Sequence, residues 1–126
     1  MATLVHSILI QLDLTNSNDG QGRAWYRTAA LRTAIERELR LQGHEREPFD
    51  FPVSLRLTRV LGKKQRKWDA DSVLRGSAKQ LIDSLVAVGW FHDDGPKWIL
   101  SVRGEQDDSR RELGPAVLIE VFKNGF

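Results

Sequence analysis

Hydrophobic residues recur along the chain with two different periods. Ile8, Ile10, Leu12 and Leu14 alternate with Ser7, Gln11 and Asp13, and a period of two marks an extended segment with one buried face. The turn-forming stretch TNSNDGQ, residues 15–21, predicts a loop. From about Arg23 to Leu41 the period changes, with Leu31, Ala34, Ile35 and Leu39 on one stripe of a helix and Gly43 placed to stop it. After a loop from Gly43 to Pro52, Val53, Leu55 and Leu57 alternate with Ser54, Arg56 and Thr58 in a second strand. Leu74, Ala78, Leu81, Ile82 and Leu85 define a second helix from about Ser72 to Val88, which Gly89 ends. Trp98–Val102 and Val117–Phe122 close the chain as a hairpin. The loop they flank, Gly104–Gly114, is too long for a tight turn. The order β-α-β-α-β-β predicts an α+β domain, a small mixed β-sheet with two main helices.

At 126 residues the chain is the size of one domain, and no repeat or linker divides residues 1–126. A composition 40% hydrophobic and 29% charged selects a packed core over disorder. The absence of cysteine excludes a disulfide framework, a thiolate zinc site and a cysteine nucleophile. No apolar run approaches the roughly 20 residues of a membrane helix. The start, MATLVHSILIQLD, reads as a strand, since it has no basic leader and no small-residue cleavage site. A soluble chain of a reducing compartment, with no membrane partner, is the expectation.

Charge is distributed unevenly behind a net value of only +2. Between Val53 and Lys67 there are six basic residues (Arg56, Arg59, Lys63, Lys64, Arg66 and Lys67) and no acidic one. Acids follow at Asp69, Asp71, Asp83, Asp93 and Asp94, then at Glu105, Asp107 and Asp108. Such a basic arm is either a solvated face or a surface for phosphate.

Asp69 and Asp71 are two residues apart, so in an extended segment both carboxylates leave the same face. Two like charges that close repel unless a cation sits between them. Magnesium suits the position, because it takes oxygen ligands and needs only a few carboxylates beside water and phosphate. Asp93 and Asp94 follow the second helix, whose expected length of about 17 residues spans about 25 Å. Asp94 therefore meets Asp69 and Asp71 only if the fold returns the loop. Acidic turn residues are the plain alternative. Asp71, Arg75, Lys79 and Asp83 step by four along one helix face, either as a solvated ion-pair ladder or with Arg75 or Lys79 set against a phosphate.

The segment KWDADSVLRGSAKQLIDSLVAVGWFHDDGPK resembles the core of the RusA family of Holliday junction resolvases, and more closely its phage-type members. The matching positions are Asp69-Ala70-Asp71, Lys79, Asp83-Ser84-Leu85, Gly89 and Asp93-Asp94. The flanks agree: a first strand, a loop with Asn18 and Gly22, an aromatic-basic helix start at Arg23, Trp25 and Tyr26, and two closing strands. Two positions depart from the family pattern. Ser72 stands where asparagine is usual, though serine also caps helices. Lys79 lies one helical turn farther from Asp71 than in the bacterial type member, which puts Arg75 where an ungapped alignment would place the lysine.

The resemblance implies a homodimeric, magnesium-dependent endonuclease, with manganese as a possible substitute, that cuts four-way or branched DNA by paired incisions in recombination and repair. It implies that Asp69, Asp71 and Asp94 ligate the metal, with Asp93 in support, and that Lys79 is the catalytic cation, with Arg75 as its rival. DNA is then held by Lys63, Lys64, Arg66 and Lys67, with Trp68 and Arg75 beside them. Trp68 either stacks on a base or packs within the protein. Trp25, Trp90 and Trp98 are expected in the core, and His92 as a turn residue, since magnesium prefers oxygen. His6 and His44 receive no role. The implied setting is the cytoplasm of a bacterial or phage-infected cell. Two other classes remain. One is a non-catalytic DNA-binding protein of the same fold. The other is a hydrolase of small phosphate esters, which the missing G-x-x-x-x-G-K cradle disfavours.

Overall fold

The computed structural model describes residues 2–14, 24–69 and 77–126, and of 24–28 the backbone alone. Asp71, Ser72, Arg75, the loop 15–21 and the side chains of Trp25 and Tyr26 lie outside that description. In chain order the elements are β1 (Thr3–Ile10), α1 (Ala24–Leu41), β2 (Val53–Val60), α2 (Lys79–Ala87), β3 (Ile99–Asp107) and β4 (Ala116–Lys123). This is the α+β class that the alternating periods predict.

The strands form one sheet in the order β1-β4-β2-β3. β2 and β3 are parallel neighbours joined through α2, a strand-helix-strand crossover. β4 runs antiparallel to both β1 and β2 and fills the slot between them. The expected closing hairpin is therefore incorrect, since β3 and β4 are not adjacent. Their sequences account for the difference. AVLIEVFK in β4 keeps Val117, Ile119 and Val121 fully buried, which suits an inner strand. ILSVRGEQD in β3 is mostly polar and buries only Ile99, which suits an edge. β3 also continues through Asp107, pairing Gly104 with Leu57 and Asp107 with Val60, where polar residues offer no alternation to read.

Both helices stop at the expected glycines, and for one reason. Gly43 and Gly89 have φ of 77° and 99°, a region that costs other residues a Cβ clash. The bonds Gly43 N–H to Arg40 O and His44 N–H to Leu39 O close the end of α1. Gly89 N–H to Val86 O and Trp90 N–H to Leu85 O do the same for α2.

Ile8 and Ile10, Val53, Leu55 and Leu57, and Val117, Ile119 and Val121 turn one sheet face toward Leu31, Ile35 and Leu39 of α1 and Leu81 and Leu85 of α2. Each such side chain contributes about 1.5–3 kcal/mol by leaving water. Trp90 is fully buried, as expected, and its indole N–H donates to His44 O at 2.7 Å. β2 is buried on both faces rather than one. Ser54, Thr58 and Val60 on its other face are covered, where the Arg56 guanidinium lies 5.1 Å over Phe122 and pairs with Glu120 at 2.8 Å. Among the described residues no helix is long and apolar enough to cross a membrane.

Candidate functional site

The chain after α2 reverses at Gly89, buries Trp90 and Phe91, and enters a tight turn. In that turn Asp93 Oδ1 accepts the Gly95 N–H at 2.7 Å, and Gly95 O accepts from Trp98 and Ile99. Asp93 is thus committed to shaping the turn, and the next residue, Asp94, is aimed back along the helix. Its Oδ2 meets Lys79 Nζ at 2.9 Å. The acidic loop therefore returns as far as Lys79, the first residue of α2; whether it reaches Asp71, as the expected metal site requires, falls outside the described residues.

Lys79 has a second partner. Its Nζ also lies 2.9 Å from Asp83 Oδ1, one turn farther along α2, as the step of four predicts. Arg32 Nη1 of α1 stands 3.7 Å from the other Asp83 oxygen. The ammonium holds the Asp94 carboxyl below the ordinary carboxylate range, by hydrogen bonding first. The bonds to Asp94 and then Asp83 raise Lys79 above an ordinary lysine. The first effect is lost only as pH falls through the depressed carboxyl value, the second only as pH rises through the raised lysine value. Lys79 and Asp94 therefore both stay charged across the neutral range.

Asp69 is exposed and emerges from a fixed point. Gln106 of β3 clamps the preceding residue, accepting the Trp68 N–H at 2.7 Å and donating to Trp68 O at 2.9 Å. The Trp68 ring packs against the core, with the Arg59 guanidinium 3.9 Å over its face. Packing within the chain is thus what the structure shows for Trp68, and Arg59 takes a ring face that a stacked base would need. Trp98 is half-buried against the core, with the His92 ring tilted against it at 4.6 Å, and His92 Nε2 lies 3.4 Å from Asp50. His92 is accordingly an exposed turn residue.

The six-residue basic arm divides in two. Arg56 and Arg59 belong to β2 and serve the interior, Arg59 donating to Arg66 O and Gln106 Oε1. Lys63, Lys64, Arg66 and Lys67 are exposed on the loop after β2. That loop is braced from three sides. Gln65 accepts the Gly62 N–H at 2.7 Å and donates to Asp13 at 2.8 Å. Arg111 donates to Gly62 O and Gln65 O, each at 2.7 Å. Lys67 reaches Asp108 at 3.7 Å.

Sequence reasoning missed Gln65, Gln106 and Arg111, and the pairing of Arg32 with Asp83. The glutamines carry no signal at all, and Arg111 hides in the polar stretch 108–112. Across the sheet, a cleft of about 390 Å³ between Arg56, Glu105, Asp107, Arg110 and Glu120 has most of its charges paired internally.

Asp94 and Asp69 are exposed, hard oxygen donors, and Asp94 already faces a cation. That chemistry fits magnesium. Among the described residues no three metal-ligating side chains converge; Asp71, the third expected ligand, lies outside them. No protein-family model matches the chain, and no curated protein matches it.

Proposed function

We propose that the protein is a magnesium-dependent endonuclease of RusA type that cuts four-way or branched DNA as a homodimer. The observation that carries this reading is the return of Asp94 to Lys79 at the start of α2, inside the segment that resembles the family core. The exposed basic loop Lys63, Lys64, Arg66 and Lys67, on the chain leading into Asp69, supplies the sequence-independent grip on phosphate.

Asp69, Asp71 and Asp94 would hold the metal, and Asp93 would keep Asp94 on station through its turn. The bound metal supplies charge neutralisation at the scissile phosphate and a more acidic water. Lys79 would place its ammonium against a non-bridging phosphate oxygen, opposing the charge that builds as water adds to phosphorus and the leaving oxygen departs. A two-fold dimer presents two such sites to a nearly two-fold junction, which suits paired cuts.

Purified protein, incubated with a synthetic four-way junction and a matched linear duplex, with and without magnesium, tests the reading. Paired incisions in the junction alone, and only with magnesium, are expected. Binding without incision under all conditions would select the non-catalytic DNA-binding alternative, which the exposed basic loop equally supports.

A further inference from the structure

Resting on the nuclease reading, we infer that Asp83 is a positioning residue that retains Lys79 at the site while Asp94 exchanges the lysine for a metal ion. Lys79 Nζ stands 2.9 Å from a carboxylate oxygen on each side, Asp83 and Asp94. The two partners differ in how they are held. Asp83 is on α2 itself, one turn from Lys79, so their pairing survives any movement of the acidic loop. Its side chain is 24% exposed, against 47% for Asp94. Its second oxygen faces Arg32 of α1 at 3.7 Å, and the neighbouring Ser84, fully buried, donates to Gln80 O at 2.7 Å with its Oγ 3.3 Å from Arg32 O, where α2 packs on α1. Asp83 is thus anchored between two packed helices, whereas Asp94 sits on a turn.

A divalent cation and the Lys79 ammonium compete for Asp94. With Asp83 present, loss of Asp94 leaves the ammonium one partner and the same location. One of its three N–H donors is then released toward a phosphate oxygen beside the metal. Without Asp83, Lys79 has only Asp94 to pair with among the described residues, so it resists the metal and loses its tether once displaced.

The test is manganese binding to DNA-free protein, followed by the free-ion electron paramagnetic resonance signal, beside single-turnover junction cleavage in magnesium. Asp83→Asn should weaken manganese binding about two- to fivefold, the range of one exposed ion pair, and slow cleavage at saturating metal. Lys79→Ala should bind manganese more tightly than wild type while cleaving poorly. The decisive comparison is the double variant. In the Lys79→Ala background Asp83→Asn should leave manganese affinity unchanged, because Asp83 acts only through the lysine. Asp83→Glu, which preserves the fold and the charge, should restore cleavage. An equal loss of manganese affinity with and without Lys79 would overturn the inference, since Asp83 would then attract the metal directly. A wild-type protein that binds no manganese would instead sink the nuclease reading itself, and the inference with it.

Discussion

Asp93 and Asp94 are chemically identical neighbours with different work, and the difference is local geometry. Asp93 accepts a backbone N–H from Gly95 while Asp94 pairs with Lys79. Asp94→Asn should therefore abolish junction cleavage and leave binding intact or tighter, because it removes a negative charge near phosphate. Asp93→Asn keeps an amide oxygen for the turn and should retain most activity. Single-turnover rates for both variants decide it, and the reverse ranking would exchange their roles. The step of four that pairs Lys79 with Asp83 was legible from spacing. The meeting of Lys79 with Asp94 and the division between the two acids were not, since they depend on how the loop returns and on which carboxylate a backbone N–H captures.

His6 shows the same dependence on surroundings. Spacing along the chain assigns it no partner, yet its ring lies edge-on to Trp90 at 4.9 Å and 6.1 Å from Phe49. Burial first, then Arg46 and His44, push its pKa below the ordinary 6.5. Above that value neither folded nor unfolded chain binds the proton, and the contribution to stability is complete. As pH falls below about 6.5 the unfolded chain protonates first, and stability declines toward the folded-state value. Urea midpoints should drop as pH falls below about 6.5, and drop less in His6→Gln. Parallel declines in the two proteins would assign the acid sensitivity elsewhere.

Among the secondary elements, the loop after β2 carries the clearest division of labour. Replacing Lys63, Lys64, Arg66 and Lys67 with alanine should weaken binding to junction and duplex alike. The salt slope should shrink by up to roughly one for each phosphate no longer neutralised. Arg56 and Arg59 should not contribute to that slope, because one is paired with Glu120 and the other lies over Trp68. A slope unchanged by the fourfold replacement would place the DNA surface elsewhere. The end of α2 offers a second test. A Cβ at Gly89 would run into the Arg46 carbonyl, at a φ that already disfavours side chains. Gly89→Ala should cost about 1–3 kcal/mol in urea unfolding and misplace the loop that delivers Asp94. Full stability and full cleavage would show that the reversal tolerates a side chain. Periodicity and glycine placement made the elements and their stops readable. The neighbours of each strand were not, because β3 pairing is carried by backbone bonds beneath Arg103, Gly104 and Glu105, residues without hydrophobic alternation.

Taken as one molecule, the sheet has an order unlike its order along the chain. β1 and β2 lie parallel with β4 between them, so 116–123 is the bridge that joins the first strand to the rest. Leu9 opposite Leu118 and Leu57 opposite Ile119 bring together residues from distant parts of the sequence. Pairings that distant require closure of long loops before they are rewarded, which slows folding relative to local topologies. Until 116–123 leaves the ribosome, β1 can pair with nothing in its final place. Of the sheet, the preceding residues supply β2 and β3, joined through α2 and backed by α1, with an open edge where β4 will lie. The Asp94–Lys79 pairing belongs to that early unit, so the site's polar geometry can form before the sheet that supports it is complete.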